Sequence, residues 1–355
     1  MKQKCYLDLK SEVWDTGKCS GCGACVAVCP SDAISFTEGE KTTSPVSNGY
    51  CKQATDSVPC GACYAACPRT GIPSTETLGN FLEITSGKAI FDIPHKQSGG
   101  AVTAILSSAL DTGLIDAVIT VTEDRFTLRP SSVVITDSDI LIQHAGSRYN
   151  WSVPLLAALK SAVIEHKYRR IAVVGVPCAV QALTRIRASD NDLLKPYARA
   201  IRLVVGLFCS ESFNYSALVE GKLKREYDLE PCDIRKLNVK GKLEIQKNDG
   251  GVVSIPLSEL ETCIHPGCHM CTDMTALEAD ISAGAIGSPP GMTTLIIRTK
   301  TGKAFVDNTI RQQKITFSDE TDRRAVEKLA MTKISNYSAN LGQSNRQIKI
   351  SKAHQ

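Results

Sequence analysis

The chemistry-bearing residues of this 355-residue chain are its fifteen cysteines. "CSGCGACVAVCP" places Cys19, Cys22, Cys25 and Cys29 ahead of Pro30, in the spacing C-x2-C-x2-C-x3-C-P. That is the bacterial ferredoxin pattern of thiolates that hold [4Fe–4S] clusters. Three cysteines on one tight loop grip three corners of a cubane. The small residues between them, Gly21, Gly23 and Ala24, let backbone amides approach the sulfurs. The fourth cysteine faces a different cluster, so a second motif is required.

A second motif follows. "CKQATDSVPCGACYAACPRTG" supplies Cys51, Cys60, Cys63 and Cys67 ahead of Pro68, with eight residues between Cys51 and Cys60 where the compact pattern has two. The spacing assigns one cluster to Cys19, Cys22, Cys25 and Cys67, and another to Cys51, Cys60, Cys63 and Cys29. Zinc is the competing occupant. Zinc sites usually pair two C-x2-C units across a longer gap and lack the x3-C-P ending. Residues 1–80 therefore read as a ferredoxin-like domain with two clusters, and the internal repeat of the motif supports this.

Seven cysteines remain: Cys5, Cys178, Cys209, Cys232, Cys263, Cys268 and Cys271. The elements around them have an alternating α/β texture. "SGGAVTAILSSALDTG" and "WSVPLLAALKSAVIEH" read as helices, and "DAVITV" as a buried strand. "RIAVVGVPCAVQALTRI" reads as strand, sharp turn, helix, and "AIRLVVGLFCSES" as another strand. "DIRKLNV", "KLEIQKNDGGVVSIPL" and "TTLIIRTKTGKAFV" read as shorter strands and hairpins, with turns at "NDGG" and "TG". Beyond residue 310 the chain is polar, with one helix at "DRRAVEKLAMTKIS" and a loosely ordered end, so 311–355 reads as a C-terminal helix and polar tail.

Cys178 and Cys209 each follow an apolar strand, at the sheet edge where open α/β folds bind ligands. With Cys268 and Cys271 they make a plausible four-thiolate site. The alternative is that both are small buried hydrophobes. Cys263 could replace any one of the four, and Cys5 and Cys232 read as plain thiols.

Four glycine-bearing stretches carry a further signal: "KQSGGAVT" (96–103), "AGSRYN" (145–150), "GVPC" (175–178) and "ADISAGAIGSPPG" (279–291). Backbone amides at a helix N-terminus bind anions, and glycine permits close approach. A helix cap is the plainer reading of the first. The last, with glycines and prolines around Asp280 and Ser282, reads as a ligand-contacting loop or as turns alone.

Composition narrows the class. Mean hydropathy is -0.08 and the formal net charge is +4. The charge is mild and both signs are interspersed, which argues against nucleic acid. No run approaches the roughly 18 apolar residues of a membrane helix, and the N-terminus does not read as a signal peptide. Many thiols without an export signal fit metal ligation in a reducing compartment, so the expectation is cytoplasmic.

Taken in order, QSGGAVT, AGSRYN, VGVPCAVQAL, GLFC, GCHMCTD and ADISAGAIGS resemble the beta subunit of the coenzyme F420-dependent hydrogenases and dehydrogenases, over about residues 85–310. The resemblance implies an α/β flavin domain that binds FAD, one [4Fe–4S] cluster and coenzyme F420. It implies Cys178, Cys209, Cys268 and Cys271 as ligands of a third cluster, with Cys263 outside the set. Ser98, Gly99, Gly100 and Thr103 become candidate cofactor contacts, with Tyr149, Asp280, Ser282, Gly284 and Gly287. Lys96 and Arg148 would guide the acidic tail of F420. Within that family the fused ferredoxin module is similar to the electron-input subunit of the F420H2 dehydrogenases. The implied activity is oxidation of reduced F420 through FAD and iron–sulfur clusters, with electrons leaving to other subunits of a complex and any membrane link only through them. The alternatives are an F420-reducing beta subunit of a hydrogenase, formate dehydrogenase or heterodisulfide reductase complex, a relative acting on another organic substrate, and a polyferredoxin-like carrier without a substrate.

Overall fold

The structure is a computed structural model. It describes residues 3–36, 44–149 and 154–353, and side chains as far as residue 340. Near the N-terminus, β1 (Ile34–Ser35) and β2 (Val46–Ser47) form a small antiparallel ribbon. Short helices Ala24–Ala27 and Ala62–Ala66 carry the two cysteine repeats. Gly23 and Gly61 precede them in the left-handed region, at φ 81° and 62°. Only glycine adopts that conformation without strain, so the repeated Gly-Ala-Cys has a backbone cause.

The body is an eight-stranded sheet. Its strands are β3 (Glu83–Ala89), β4 (Ala117–Glu123), β5 (Pro130–Ile135), β6 (Ile171–Gly175) and β7 (Ile201–Leu207), then β11 (Ile281–Gly284), β12 (Thr293–Ile297) and β13 (Ile315–Ser318). Between β7 and β11 lies a separate antiparallel sheet of β8 (Ile234–Val239), β9 (Lys242–Lys247) and β10 (Val252–Pro256). The order in the large sheet is β13-β3-β12-β11-β7-β6-β4-β5. The four strands β4, β6, β7 and β11 run parallel, flanked by antiparallel strands.

The parallel strands are apolar on both faces because both faces are covered. Ala172, Val174, Leu203 and Val205 point to the helices Ala101–Asp111 and Lys300–Arg311. Ile171, Val173, Ile201 and Val204 point the other way, to the helix Pro177–Ala188. That second core also contains Cys22, Ala24, Ala27, Ala62 and Ala66, so the ferredoxin-like segment and the body share one apolar interior. Donors from the body reinforce the joint. Lys160 Nζ donates to the Cys29 carbonyl at 3.0 Å, Tyr197 Oη to Ala27 at 3.0 Å, Arg185 Nε to Ala65 at 3.1 Å and Asn191 Nδ2 to Cys60 at 2.6 Å.

Some elements differ from the sequence reading. "TKTGKAFV" is not a hairpin. Thr299 caps the helix Lys300–Arg311, its hydroxyl accepting from Gly302 N–H at 3.0 Å, and Phe305, Val306 and Thr309 form the buried stripe. Gly302 serves close packing there, since a Cβ would stand 2.3 Å from the Asp280 carbonyl. The stretch 281–284 is a central strand rather than a loop. Of "WSVPLLAALKSAVIEH", residues 151–153 lie outside the described residues, as does Asn150, and the helical part begins at Ala158. The C-terminal helix runs Arg323–Ala353, well past the expected end; no proline interrupts it. Among the described residues, no helix is long and apolar enough to cross a membrane.

Candidate functional site

The sheet delivers Cys178 and Cys209 to one edge. Cys178 is the second residue of the helix that follows β6, and Cys209 lies two residues beyond β7. Cys268 and Cys271 come from the turn Pro266–Met270, whose cap is the His265 ring, accepting from Gly267 N–H at 3.1 Å. These four thiols lie within electrostatic reach of one another: Cys209 of Cys178 and Cys271, and Cys268 of Cys209 and Cys178.

The ferredoxin-like segment forms two more groups. Cys19, Cys22, Cys25 and Cys67 line one small hollow, with Trp14 and Arg69. Cys29, Cys51, Cys60 and Cys63 line another, with Tyr6 and Lys52. The three groups are contiguous. Cys178 lies in reach of Cys22, and Cys25 in reach of Cys63.

A single zinc ion would draw four sulfurs to about 2.3 Å from one point. Among the described residues no three His, Cys, Asp or Glu side chains converge as such a site. In the ferredoxin-like segment four thiols ring each hollow instead of converging on one point, an arrangement that suits a cubane, whose ligands sit at its corners. Burial disfavours the free thiolates. It pushes Cys19 and Cys178 up to about 12, and Cys22 and Cys209 to about 11. Cys271 goes the other way: burial raises it, but Lys333 and Arg69 outweigh burial and hold it below the usual thiol value.

Three buried side-chain nitrogen or oxygen atoms among the described residues lack a hydrogen-bond partner: Ser20 Oγ, Arg69 Nε and Arg148 Nε. Two stand where the first and third thiol groups meet. Ser20 faces the sulfurs of Cys22 and Cys178, and Arg69 lies in reach of Cys19, Cys22, Cys178 and Cys271. Donors that face thiolates suit an anionic iron–sulfur core.

The third orphan belongs to a cluster of cations. Arg148 Nε lies 3.2 Å from Glu123 Oε1 without hydrogen-bond geometry. Arg125 Nη2 meets His95 Nε2 at 2.8 Å, and Lys236 Nζ donates to the Lys96 carbonyl at 3.2 Å. Burial and the charges of Arg125, Arg148, Arg235 and Lys236 hold His95 below its usual pKa. Positive charge therefore exceeds negative where the 95–98 loop, the 144–149 loop and β8 meet. Phosphate or carboxylate groups suit such a place.

The expected flavin contacts divide. Lys96, Arg148 and the half-buried Tyr149 surround this cationic region. The Ser98 hydroxyl donates to the Met292 carbonyl, and Gly99 N–H donates to Thr293 Oγ1 at 3.0 Å. A Cβ on Gly99 would lie 2.5 Å from the Gly87 carbonyl, so its smallness has a packing cause. Gly100 ends this loop, and Thr103 is half-buried in the helix that follows. Gly284 packs on the Phe208 ring and Gly287 on Val326. Asp280 accepts from Val204 N–H at 2.8 Å, Thr299 Oγ1 at 2.8 Å and Arg187 at 3.3 Å. Ser282 Oγ accepts from Arg298 Nε at 2.7 Å and donates to the Ala276 carbonyl. Both have protein partners inside the sheet rather than a place on a binding loop.

Cys263 is buried with Phe213, Leu260 and Ile234 in the core of the three-stranded sheet, and its charged neighbours are Lys222 and Glu226. Cys5 is buried at the first helix, and Cys232 is exposed.

Two residues escape a reading of motifs alone. Lys333 continues the buried stripe of Val326 and Ala330, where a lysine is out of place. That misplacement is readable in the sequence. Its Nζ donates to the carbonyls of Cys209 at 2.6 Å and Asp273 at 2.8 Å. Arg69 offers no signal beyond following Cys67-Pro68.

Residues 12–35 match the 4Fe-4S binding domain. Residues 84–160 match the N-term, and residues 168–323 the C terminus, of the coenzyme F420 hydrogenase/dehydrogenase beta subunit. An uncharacterized protein of Methanocaldococcus jannaschii is 42% identical over 93% of this chain and 97% of its own. A component chain of the F(420)H(2) dehydrogenase of Methanosarcina mazei is 32% identical over 84% of each. A chain in the structure of the F420-reducing [NiFe] hydrogenase complex from Methanosarcina barkeri superposes with a TM-score of 0.71 at 27% identity, covering 77% of this chain and 95% of that one. The chain, an N-terminal 4Fe-4S segment fused to an α/β body, belongs to the family of coenzyme F420 hydrogenase/dehydrogenase beta subunits.

Proposed function

We propose that this chain oxidises reduced coenzyme F420 on a bound FAD and delivers electrons singly, through three [4Fe–4S] clusters, to a partner protein. The observation that supports it most is the contiguity of the three four-thiol groups. Cys178 packs into the same apolar cluster as Cys22, and Cys25, Cys29, Cys63 and Cys67 share another. A bound flavin accepts a hydride and releases electrons one at a time, and iron–sulfur centres carry them.

The protein's part is placement. Cys178, Cys209, Cys268 and Cys271 hold the centre nearest the body. Cys19, Cys22, Cys25 and Cys67 hold the middle one, and Cys29, Cys51, Cys60 and Cys63 the outer one. Lys96, Arg125, Arg148, Arg235 and Lys236 gather the anionic groups of the organic ligands, and burial around Arg148 and Tyr149 limits water there. No acid–base residue is assigned.

The likeness to a chain of an F420-reducing hydrogenase complex favours a second reading, in which the same centres run toward F420. The partner complex, purified anaerobically with the chain, separates the two directions.

Stopped-flow absorbance tests the proposal. Reduced F420 should bleach a bound flavin rapidly and NADH should not, because no strand–GxGxxG–helix fingerprint for a nicotinamide dinucleotide is present. Bleaching by NADH with none by reduced F420 would overturn the substrate. Protein without flavin absorbance would overturn the enzyme reading.

A further inference from the structure

We propose that Arg69 and Lys333 are positioning residues for electron flow: two fixed, buried cations that raise the reduction potential of the centre held by Cys178, Cys209, Cys268 and Cys271. Arg69 extends the same influence to the centre of Cys19, Cys22, Cys25 and Cys67. The inference rests on the reading that these thiols hold iron–sulfur clusters.

The placement of the two charges carries it. Lys333 arrives from the C-terminal helix, beyond the residues matched to the family, and only 8% of it is exposed. Its ammonium is held by the carbonyls of Cys209 and Asp273, residues beside or within the third thiol group. The same helix reaches the Cys268 turn, where Asn340 Nδ2 donates to the His269 carbonyl at 3.4 Å. Arg69 arrives from the opposite side, out of the ferredoxin-like segment. Its Nη1 and Nη2 donate to the carbonyls of Met270 and Gly267 at 3.3 and 3.4 Å, and its buried Nε has no hydrogen-bond partner among the described residues. It lies in reach of Cys271, Cys178 and Cys268, and also of Cys19, Cys22 and Cys67.

The facing charges do not cancel these two. Asp273 is a buried acid in reach of Lys333, but it is also in reach of a further cation, Arg298, and accepts from Leu277 N–H and Gln181 Nε2. Glu211 is a second acid in reach of Lys333, so among these neighbours three cations, Arg69, Lys333 and Arg298, face two acids. Uptake of one electron adds one negative charge to a site that water and salt screen poorly. A fixed cation beside it favours the reduced form. Neither Arg69 nor Lys333 lines the hollow ringed by Cys29, Cys51, Cys60 and Cys63, so the outer centre is an internal reference.

The test is an EPR-monitored redox titration of the anaerobically purified holoprotein, with iron counted for each variant. Lys333→Met should make reduction of the third centre about tenfold less favourable, a fall of about 59 mV for one electron. The outer centre should not move. Arg69→Met should lower the third and middle centres together, and Arg69→Lys should restore most of the difference. Should Lys333→Met lose iron, Lys333→Gln keeps donors for the two carbonyls and carries the same comparison. Potentials unmoved in both charge-removing variants, with about twelve irons retained, would overturn the inference and leave the three-cluster reading intact. About eight irons in the unaltered protein would overturn the third centre itself, and the inference with it.

Discussion

The backbone of Gly267 rests on the carbonyl of Cys19: a Cβ placed on Gly267 would stand 2.0 Å from the Cys19 oxygen and 3.0 Å from the Ser20 Cα. The turn that carries Cys268 is thus laid directly on the loop that carries Cys19 and Cys22. His265, at the start of the same turn, approaches Gly21, whose Cβ would lie 3.3 Å from its Nε2. These contacts hold the middle and body-side thiol groups close together.

Gly267→Ala should therefore push the two loops apart. Overpacking of this kind costs roughly 1–3 kcal/mol, and the backbone atom it meets cannot rotate aside. The expected outcome is a lower melting temperature and slower electron passage from the body to the ferredoxin-like segment. Thermal unfolding and rapid-freeze EPR would show it. Wild-type behaviour in both would mean the loops separate freely.

The joint between the segment and the body makes a second expectation. Tyr197 is buried, and its hydroxyl donates to the Ala27 carbonyl between Cys25 and Cys29. Tyr197→Phe keeps the ring and leaves that carbonyl without this donor, at a cost of roughly 1–3 kcal/mol. Denaturant titration should show the loss for the whole chain in one transition, because the two parts share a core. An early, separate transition of the segment would contradict the shared interior.

The choice of four thiols among five is open to direct measurement. Cys268→Ala should lower iron from about twelve to about eight per chain, with the two ferredoxin-type EPR signals retained. Cys263→Ala should keep all the iron. It removes a sulfur from the apolar core around Phe213 and Leu260, so the expected effect is a small loss of stability. Iron loss in Cys263→Ala with none in Cys268→Ala would reverse the assignment.

Which cysteines of the N-terminal segment group together is legible in the sequence because their spacing is local, and β6 and β7 are legible because both faces of those strands are covered. What depends on distant neighbours is hidden. Gly99, Gly284 and Gly302 read like ligand loops or turns, yet each is small because another backbone or ring lies against it. Asp280 and Ser282 read like binding groups, yet their partners are Arg187, Val204, Thr299 and Arg298, up to 93 positions away. The cationic region is half visible. Lys96 and Arg148 stand in recognisable motifs, while Arg125, Arg235 and Lys236 join them only through folding.

Those later cations supply the last expectation. Arg235 is exposed at the start of β8 and contributes to the positive field around His95. A ligand with a phosphate and an acidic tail is drawn by that field over several ångströms, so salt should weaken its apparent affinity. The Debye length falls from about 30 Å at 0.01 M to about 3 Å at 1 M, which spans the size of the cluster. Arg235→Gln should raise KM for reduced F420 roughly threefold at low salt, the scale of one exposed charge pair. It should flatten the salt dependence and leave kcat nearly unchanged, since a distant tail contact acts on capture. Reduction of the same flavin by dithionite is the control and should not distinguish the variant from the parent. A KM that ignores both salt and Arg235 would place the acidic end of the substrate elsewhere on the chain.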